Sequence, residues 1–190
     1  MGQDKRSVTV GESTLFHRVL SIFEKVFDEI IIVIAEESSV TESLSHKVIT
    51  DIISGKGPIG GLHAGLLHSM QPSVFLAACD MPFLHVPIIE RICQAVSDIN
   101  TVNQVDVAMV RLLTGIQPMQ GIYSKNCIPA LENMIRNNEL SMQKIPLQSD
   151  LHCQFIDQKH IEDLDKNFVS FMNVNTPSDL EMANKFVSID

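Results

Sequence analysis

The stretch SVFLAACDMPFL, residues 73–84, decides the fold. From Val74 to Cys79 it is unbroken apolar sequence, the pattern of a strand covered on both faces, and it closes on a carboxylate, Asp80. A buried strand that ends on a charged residue sets it at the carboxyl edge of a sheet, where open α/β folds bind ligands. Two readings of Asp80 stand side by side. Its carboxylate could hold Mg²⁺, which keeps most of its waters and takes one or two protein carboxylates beside phosphate oxygens. It could equally N-cap the helix that follows.

The neighbouring segments alternate in the same way. EIIIVIA, Glu29 to Ala35, is a second buried strand, and HKVITD, His46 to Asp51, a third. Before them Leu15, Val19, Ile22, Phe23 and Val26 recur at three- and four-residue spacing, which predicts an amphipathic helix from Thr14 to Phe27. Further helices are expected at Ile59–Met70, Val86–Val96 and Pro129–Arg136, with a strand at Val105–Leu113. This describes an open α/β sheet of doubly wound type. Residues 140–166 show no clear period. In such a fold a strand comes first and its loop carries the phosphate site, whereas here a helix comes first.

One domain spans residues 1–190, a length that buries a substantial core without staples. Hydrophobic residues make up 45% and charged residues 19%, the balance of a soluble globular protein, and no apolar run approaches the ~20 residues of a membrane helix. Fourteen Lys and Arg against 23 Asp and Glu give 14 − 23 = −9, a field that repels nucleic acid but leaves room for a small phosphorylated ligand. Cys79, Cys93, Cys127 and Cys153 lie far apart and form no C-x-x-C pair, so they read as reduced thiols of the cytoplasm.

GKGPIGGLHAGL, Gly55 to Leu66, places five glycines and a proline between a strand and a helix. Backbone amides there can approach an anion or a base edge, although a tight structural turn reads the same way. It is neither a P-loop nor a dinucleotide-binding fingerprint. Asp51 ends the preceding strand, so it shares the sheet edge with Asp80, and two carboxylates in one crevice call for a cation or donor between them. Near the C-terminus, FMNVNTPSDL alternates Asn173 and Asn175 on one face, with Thr176 capping a helix begun by Pro177. Paired amides can read the polar edge of a heterocycle. No histidine or cysteine arrangement suggests a nucleophile or a zinc site, and the nine methionines read as core filler.

Together, MGQDK, GPIGGLHAGL, CDMPFL, IQPMQGIY and FMNVNTPSDL resemble, in order and spacing, the signatures of the molybdenum cofactor guanylyltransferases, the MobA family. The resemblance implies a three-layer Rossmann-like nucleotidyltransferase fold with a mostly parallel central sheet. It implies guanylyl transfer from GTP to the terminal phosphate of molybdopterin, with Mg²⁺ as cofactor and neither nucleic acid nor membrane as partner. By carry-over Lys5 contacts the GTP phosphates, Gly2 belongs to the phosphate loop and Asp80 holds Mg²⁺; Lys5 and Asp80 are the catalytic pair. Asp51 with Gly57, Pro58, Gly60 and Gly61 lines the nucleotide side; Gln117, Pro118, Asn173 and Asn175 border the pterin. The basic contribution that the family makes near residues 138–144 is represented here by Lys144.

MGQDK matches the end of a longer motif. The resemblance therefore implies a first strand, two glycines and an arginine that are not in this sequence, and losing a central strand would open two edges in the sheet. Two other readings remain: a related transferase acting with CTP or on a sugar phosphate, and a non-catalytic binding protein on the same fold.

Overall fold

The computed structural model describes residues 8–34, 45–50, 55–97 and 104–188. A short hairpin, β1 (Thr9–Val10) with β2 (Ser13–Thr14), leads into α1 (Leu15–Val26). This helix starts where the Thr14 side chain accepts the His17 N–H, and it turns Leu15, Val19 and Leu20 inward. Its ends lie within one residue of the expected Thr14 and Phe27. There follow β3 (Ile31–Ile34), β4 (Lys47–Thr50), α2 (Gly57–His68), β5 (Ser73–Ala77), α3 (Val86–Ser97), β6 (Val107–Leu112) and β7 (Gly115–Ser124). The chain ends with α4 (Ile128–Arg136), β8 (Cys153–Asp157) and α5 (Pro177–Val187).

Four strands form one sheet in the order β5-β7-β6-β8. Its central strand β6 explains the layers, because alternate side chains of a strand point to opposite faces. Val107 and Met109 pack with Ile59, Leu62 and Leu66 of α2 and with Leu131 and Met134 of α4. Ala108 and Val110 pack with Ile88 and Ile92 of α3 and with Ile156 of β8. All are buried, so helices cover both faces and the three-layer α/β architecture is as expected.

Strand direction is more mixed than expected. The pairs β3–β4 and β6–β8 are parallel, whereas β7 runs antiparallel to both β5 and β6. The cause is a hairpin at residues 113–114, which returns the chain along β6 as a ten-residue strand where the sequence suggested none. Two features of β7 hide it. Pro118 interrupts the strand pattern, and Gly121 is there for space: a Cβ on it would stand 3.0 Å from the Ala108 carbonyl oxygen and 3.2 Å from Met109 Cβ.

A buried carboxylate locks the near end of this sheet. Asp106, just ahead of β6, accepts the Ser124 hydroxyl at 3.0 Å, the Asn126 amide at 2.8 Å and the His152 N–H at 3.0 Å. Those partners lie at the end of β7, just beyond it and just before β8, so one side chain ties three strands together. Burial by itself raises its pKa, but the three donors outweigh that and hold the carboxyl below its ordinary value.

The other two strands of the core stand apart. Among the described residues β3 pairs with β4 only and β5 with β7 only, so each has an edge without a partner strand. Between these edges lies a cavity of about 580 Å³, lined by Ile31 and Val33 of β3, Val74 and Leu76 of β5, and Gly61 and Gly65 of α2. The apolar residues of β3 are left half-buried along it.

Candidate functional site

The candidate site lies at the carboxyl end of β5. The strand stops at Ala77, earlier than expected, and Asp80 sits half-buried in the turn that follows. There the Met81 N–H reaches back to the Ala78 carbonyl at 3.3 Å. The structure decides between the two readings of Asp80 as far as capping goes. The next helix, α3, starts only at Val86, and its first amides turn to His85, whose carbonyl accepts from Ile88 and Ile89. Asp80 is therefore not its N-cap.

The two asparagines stand beside this turn. The Val174 N–H donates to the Asp80 carbonyl at 2.8 Å, which fastens the extended segment 172–175 to the Asp80 turn. Val174 is buried among Val8, Val10, Leu15 and Ala183, while Asn173 and Asn175 on either side are exposed, as their alternation predicts. Thr176 and Asp179 then form a reciprocal capping box at the start of α5, with Pro177 in the first turn. The Asp179 carboxyl accepts the Asn175 and Thr176 amides, and those bonds lower its pKa. One carboxylate thus fixes where Asn175 leaves the crevice.

Gln117 and Pro118 lie on β7, whose pairing with β5 ends at Gln120 opposite Ala77. They therefore extend past the end of β5, on the same side as Asp80. The Pro118 carbonyl accepts the buried Tyr123 hydroxyl at 2.6 Å, and the Gln117 amide donates to the Gly115 carbonyl at 3.3 Å. The Gln143 amide donates to the Ile116 carbonyl at 3.3 Å, which brings the short helix Met142–Leu147 and its Lys144 alongside. Lys144 is paired with Glu139 at 2.5 Å, so part of its charge is already answered.

Gly57, Pro58, Gly60 and Gly61 are the first turn of α2 rather than a loop before it. Gly57 has φ +58°, a conformation that suits glycine, and a Cβ on it would meet nothing within 4 Å. The N-cap residue, Lys56, makes no side-chain capping bond, so among the described residues the start of this helix presents backbone amides. A cation that sequence reasoning passed over stands here: Lys56, at the N-cap position, reaches the Asn138 side chain at 3.2 Å and joins the start of α2 to the end of α4. Its one sequence signal is its place directly before Gly57. Gly2, Lys5 and Asp51 lie outside the described residues.

Three of the thiols, Cys93, Cys127 and Cys153, are unsuited to nucleophilic work. Burial pushes Cys93 up to about 11, with Glu90 adding to it, and burial together with Asp106 pushes Cys127 up to about 12 and Cys153 up to about 11. Among the described residues no group of three or more His, Cys, Asp or Glu could hold a metal by itself, and no helix is long and apolar enough to cross a membrane. Among the described residues, the half-buried Asp80 carboxylate beside the Asn173–Asn175 segment is the donor set that the fold brings together. It fits a hard cation that a polyphosphate helps to bind.

The chain is similar to known proteins over most of its length. Residues 1–148 match the model of the MobA-like NTP transferase domain. A probable molybdenum cofactor guanylyltransferase of Pelotomaculum thermopropionicum is 33% identical over 183 residues, 96% of this chain and 85% of that protein. One of Peptoclostridium acidaminophilum is 30% identical over 186 residues, 97% of this chain and 83% of that protein. Among solved structures, molybdopterin-guanine dinucleotide biosynthesis protein A of Archaeoglobus fulgidus superposes with a TM-score of 0.86 at 24% identity. That match covers 100% of this chain and 93% of the other.

Proposed function

The chain belongs to the MobA-like NTP transferase family, and from that premise we propose that it is a molybdenum cofactor guanylyltransferase. It transfers GMP from GTP to the terminal phosphate of molybdopterin and releases pyrophosphate. The observation that carries this reading is the Asp80 turn fastened to the Asn173–Asn175 segment, because it sets a carboxylate for the phosphates beside two amides for a heterocycle.

The attacking phosphate oxygen is already an anion. The protein therefore needs no nucleophile or strong base of its own, which agrees with the raised thiol pKa values and the absence of a triad. Its task is to align two phosphates and to offset their repulsion. Asp80 is the residue to hold Mg²⁺, which when bound screens charge between the phosphates. Gly57, Pro58, Gly60 and Gly61 border the nucleotide with backbone amides, and Asp51 shares that side. By resemblance to the family, Lys5 is assigned to the phosphates and Gly2 to their loop. Gln117, Pro118, Asn173 and Asn175 border the pterin.

We assign the reaction to the cytoplasm, where thiols such as Cys127 stay reduced. The test is pyrophosphate release from GTP, CTP and ATP in the presence of molybdopterin and Mg²⁺. Release with GTP, together with formation of the guanine dinucleotide, supports the proposal. Release with CTP in preference overturns the base assignment, and no release by folded protein overturns the catalytic reading.

A further inference from the structure

Two buried polar atoms beside the crevice lack a hydrogen-bond partner in the described structure: Gln120 Oε1 and Ser170 Oγ. Gln120 is fully buried on β7, and Ser170 is 2% exposed. A buried acceptor without a donor costs free energy that an apolar side chain of similar shape avoids, so such atoms persist where something other than packing keeps them.

Their position shows what that is. Gln120 faces Ala77, the last residue of β5, at the foot of the turn that carries Asp80. Its amide nitrogen donates to the Ser170 carbonyl, 3.5 Å away. Ser170 belongs to a short helix, Val169–Phe171, whose first amides are anchored by Asp165. From there the chain runs through Met172 into Asn173, and Val174 fastens to the Asp80 carbonyl. Segment 170–174 is thus held from β7 by Gln120 and from the Asp80 turn by Val174, with Asp165 on the Ser170 N–H and the Val169 carbonyl on the Met172 N–H as further anchors. Among these, the Gln120 bond ties the segment to the strand beside Asp80.

We propose that Gln120 is a positioning residue for the acceptor side of the site, setting Asn173 relative to Asp80 through the Ser170 carbonyl. The inference rests on the reading of Asn173 and Asn175 as the pterin border. Gln120 touches no reacting atom in this account; it acts through the segment it holds.

Two substitutions test it. Gln120→Met keeps length and volume and removes both polar atoms. Its thermal midpoint should stay level or rise, while kcat falls about five- to tenfold, the size of one hydrogen bond, and KM for GTP is unchanged. Amide exchange at Val174 should quicken. Gln120→Glu adds a readout that packing does not move. An ionised carboxylate cannot donate to the Ser170 carbonyl, whereas the protonated acid can, and burial favours the protonated form. Turnover and Val174 protection in Gln120→Glu should therefore recover as pH falls. Wild-type exchange at Val174 in both variants overturns the proposal, as does activity that merely follows lost stability with no recovery at low pH. If the wild-type chain forms no dinucleotide, the guanylyltransferase reading fails by itself, and exchange at Val174 still decides whether Gln120 holds the segment.

Discussion

The two halves of the crevice are built differently. On the proposed acceptor side, β5, β7, β6 and β8 form one four-stranded sheet, Asp106 ties three of its strands at one end, and the Asp80 turn is bonded to the segment of the asparagines. On the proposed nucleotide side, β3 and β4 form a separate pair among the described residues, beside an apolar slot, and α2 begins with glycines and an N-cap residue, Lys56, whose side chain makes no capping bond. The first half owes its geometry to contacts inside itself. The second, among the described residues, presents the backbone amides at the start of α2 and strand edges without a partner strand, so fewer contacts within it fix its geometry.

Three substitutions sharpen this contrast. The largest effect is expected at Asp80, where the two halves meet. Asp80→Ala should lower pyrophosphate release by about 10²- to 10³-fold, the range seen when one electrostatic contact to developing charge is removed. Asp80 is not the N-cap of α3, so loss of that cap is no part of the expected effect.

Next in size is Asp106→Ala, which strikes the acceptor half alone. It leaves the Ser124, Asn126 and His152 donors without their acceptor and should cost about 2–3 kcal/mol of stability by denaturant unfolding. The effect carries a pH signature. The folded carboxyl lies below its unfolded value of ~3.9, so its contribution is complete above that value and is lost as pH falls through the lower folded one. The gap between wild type and variant should therefore close in acid. A gap that holds constant would remove Asp106 from the account.

The smallest effect is expected on the nucleotide side. Gly57→Ala forces a side chain into positive φ where there is room for it, which should cost about 1 kcal/mol and weaken nucleotide binding without altering the acceptor KM. An equal loss on both sides would break the contrast between the halves.

Much of this could be read in the sequence, and the reasons for the rest are physical. Helix α1 was legible because its apolar residues repeat at helical spacing, and Asp80 because a carboxylate ends an apolar run. Asn173 and Asn175 showed their common face because Val174 between them is buried. Strand β7 was hidden by Pro118 and by Gly121, a glycine chosen for close approach and not for a turn. Strand β8 was hidden because Gln154 and Asp157 break the apolar pattern of CQFID. Lys56 and Gln120 could not have been found from sequence, since a lysine in a loop and a glutamine in a strand acquire meaning only from Asn138 and Ser170, which lie far along the chain.

The central claim is that this crevice binds a guanine nucleotide at Asp80. Calorimetric titration of the protein with GTP, CTP and ATP in the presence of Mg²⁺, repeated on Asp80→Ala, tests it most directly. The account predicts selective GTP binding that is lost in the variant and on chelation of the metal. Equal binding of all three nucleotides, or GTP binding that survives Asp80→Ala unchanged, would contradict it.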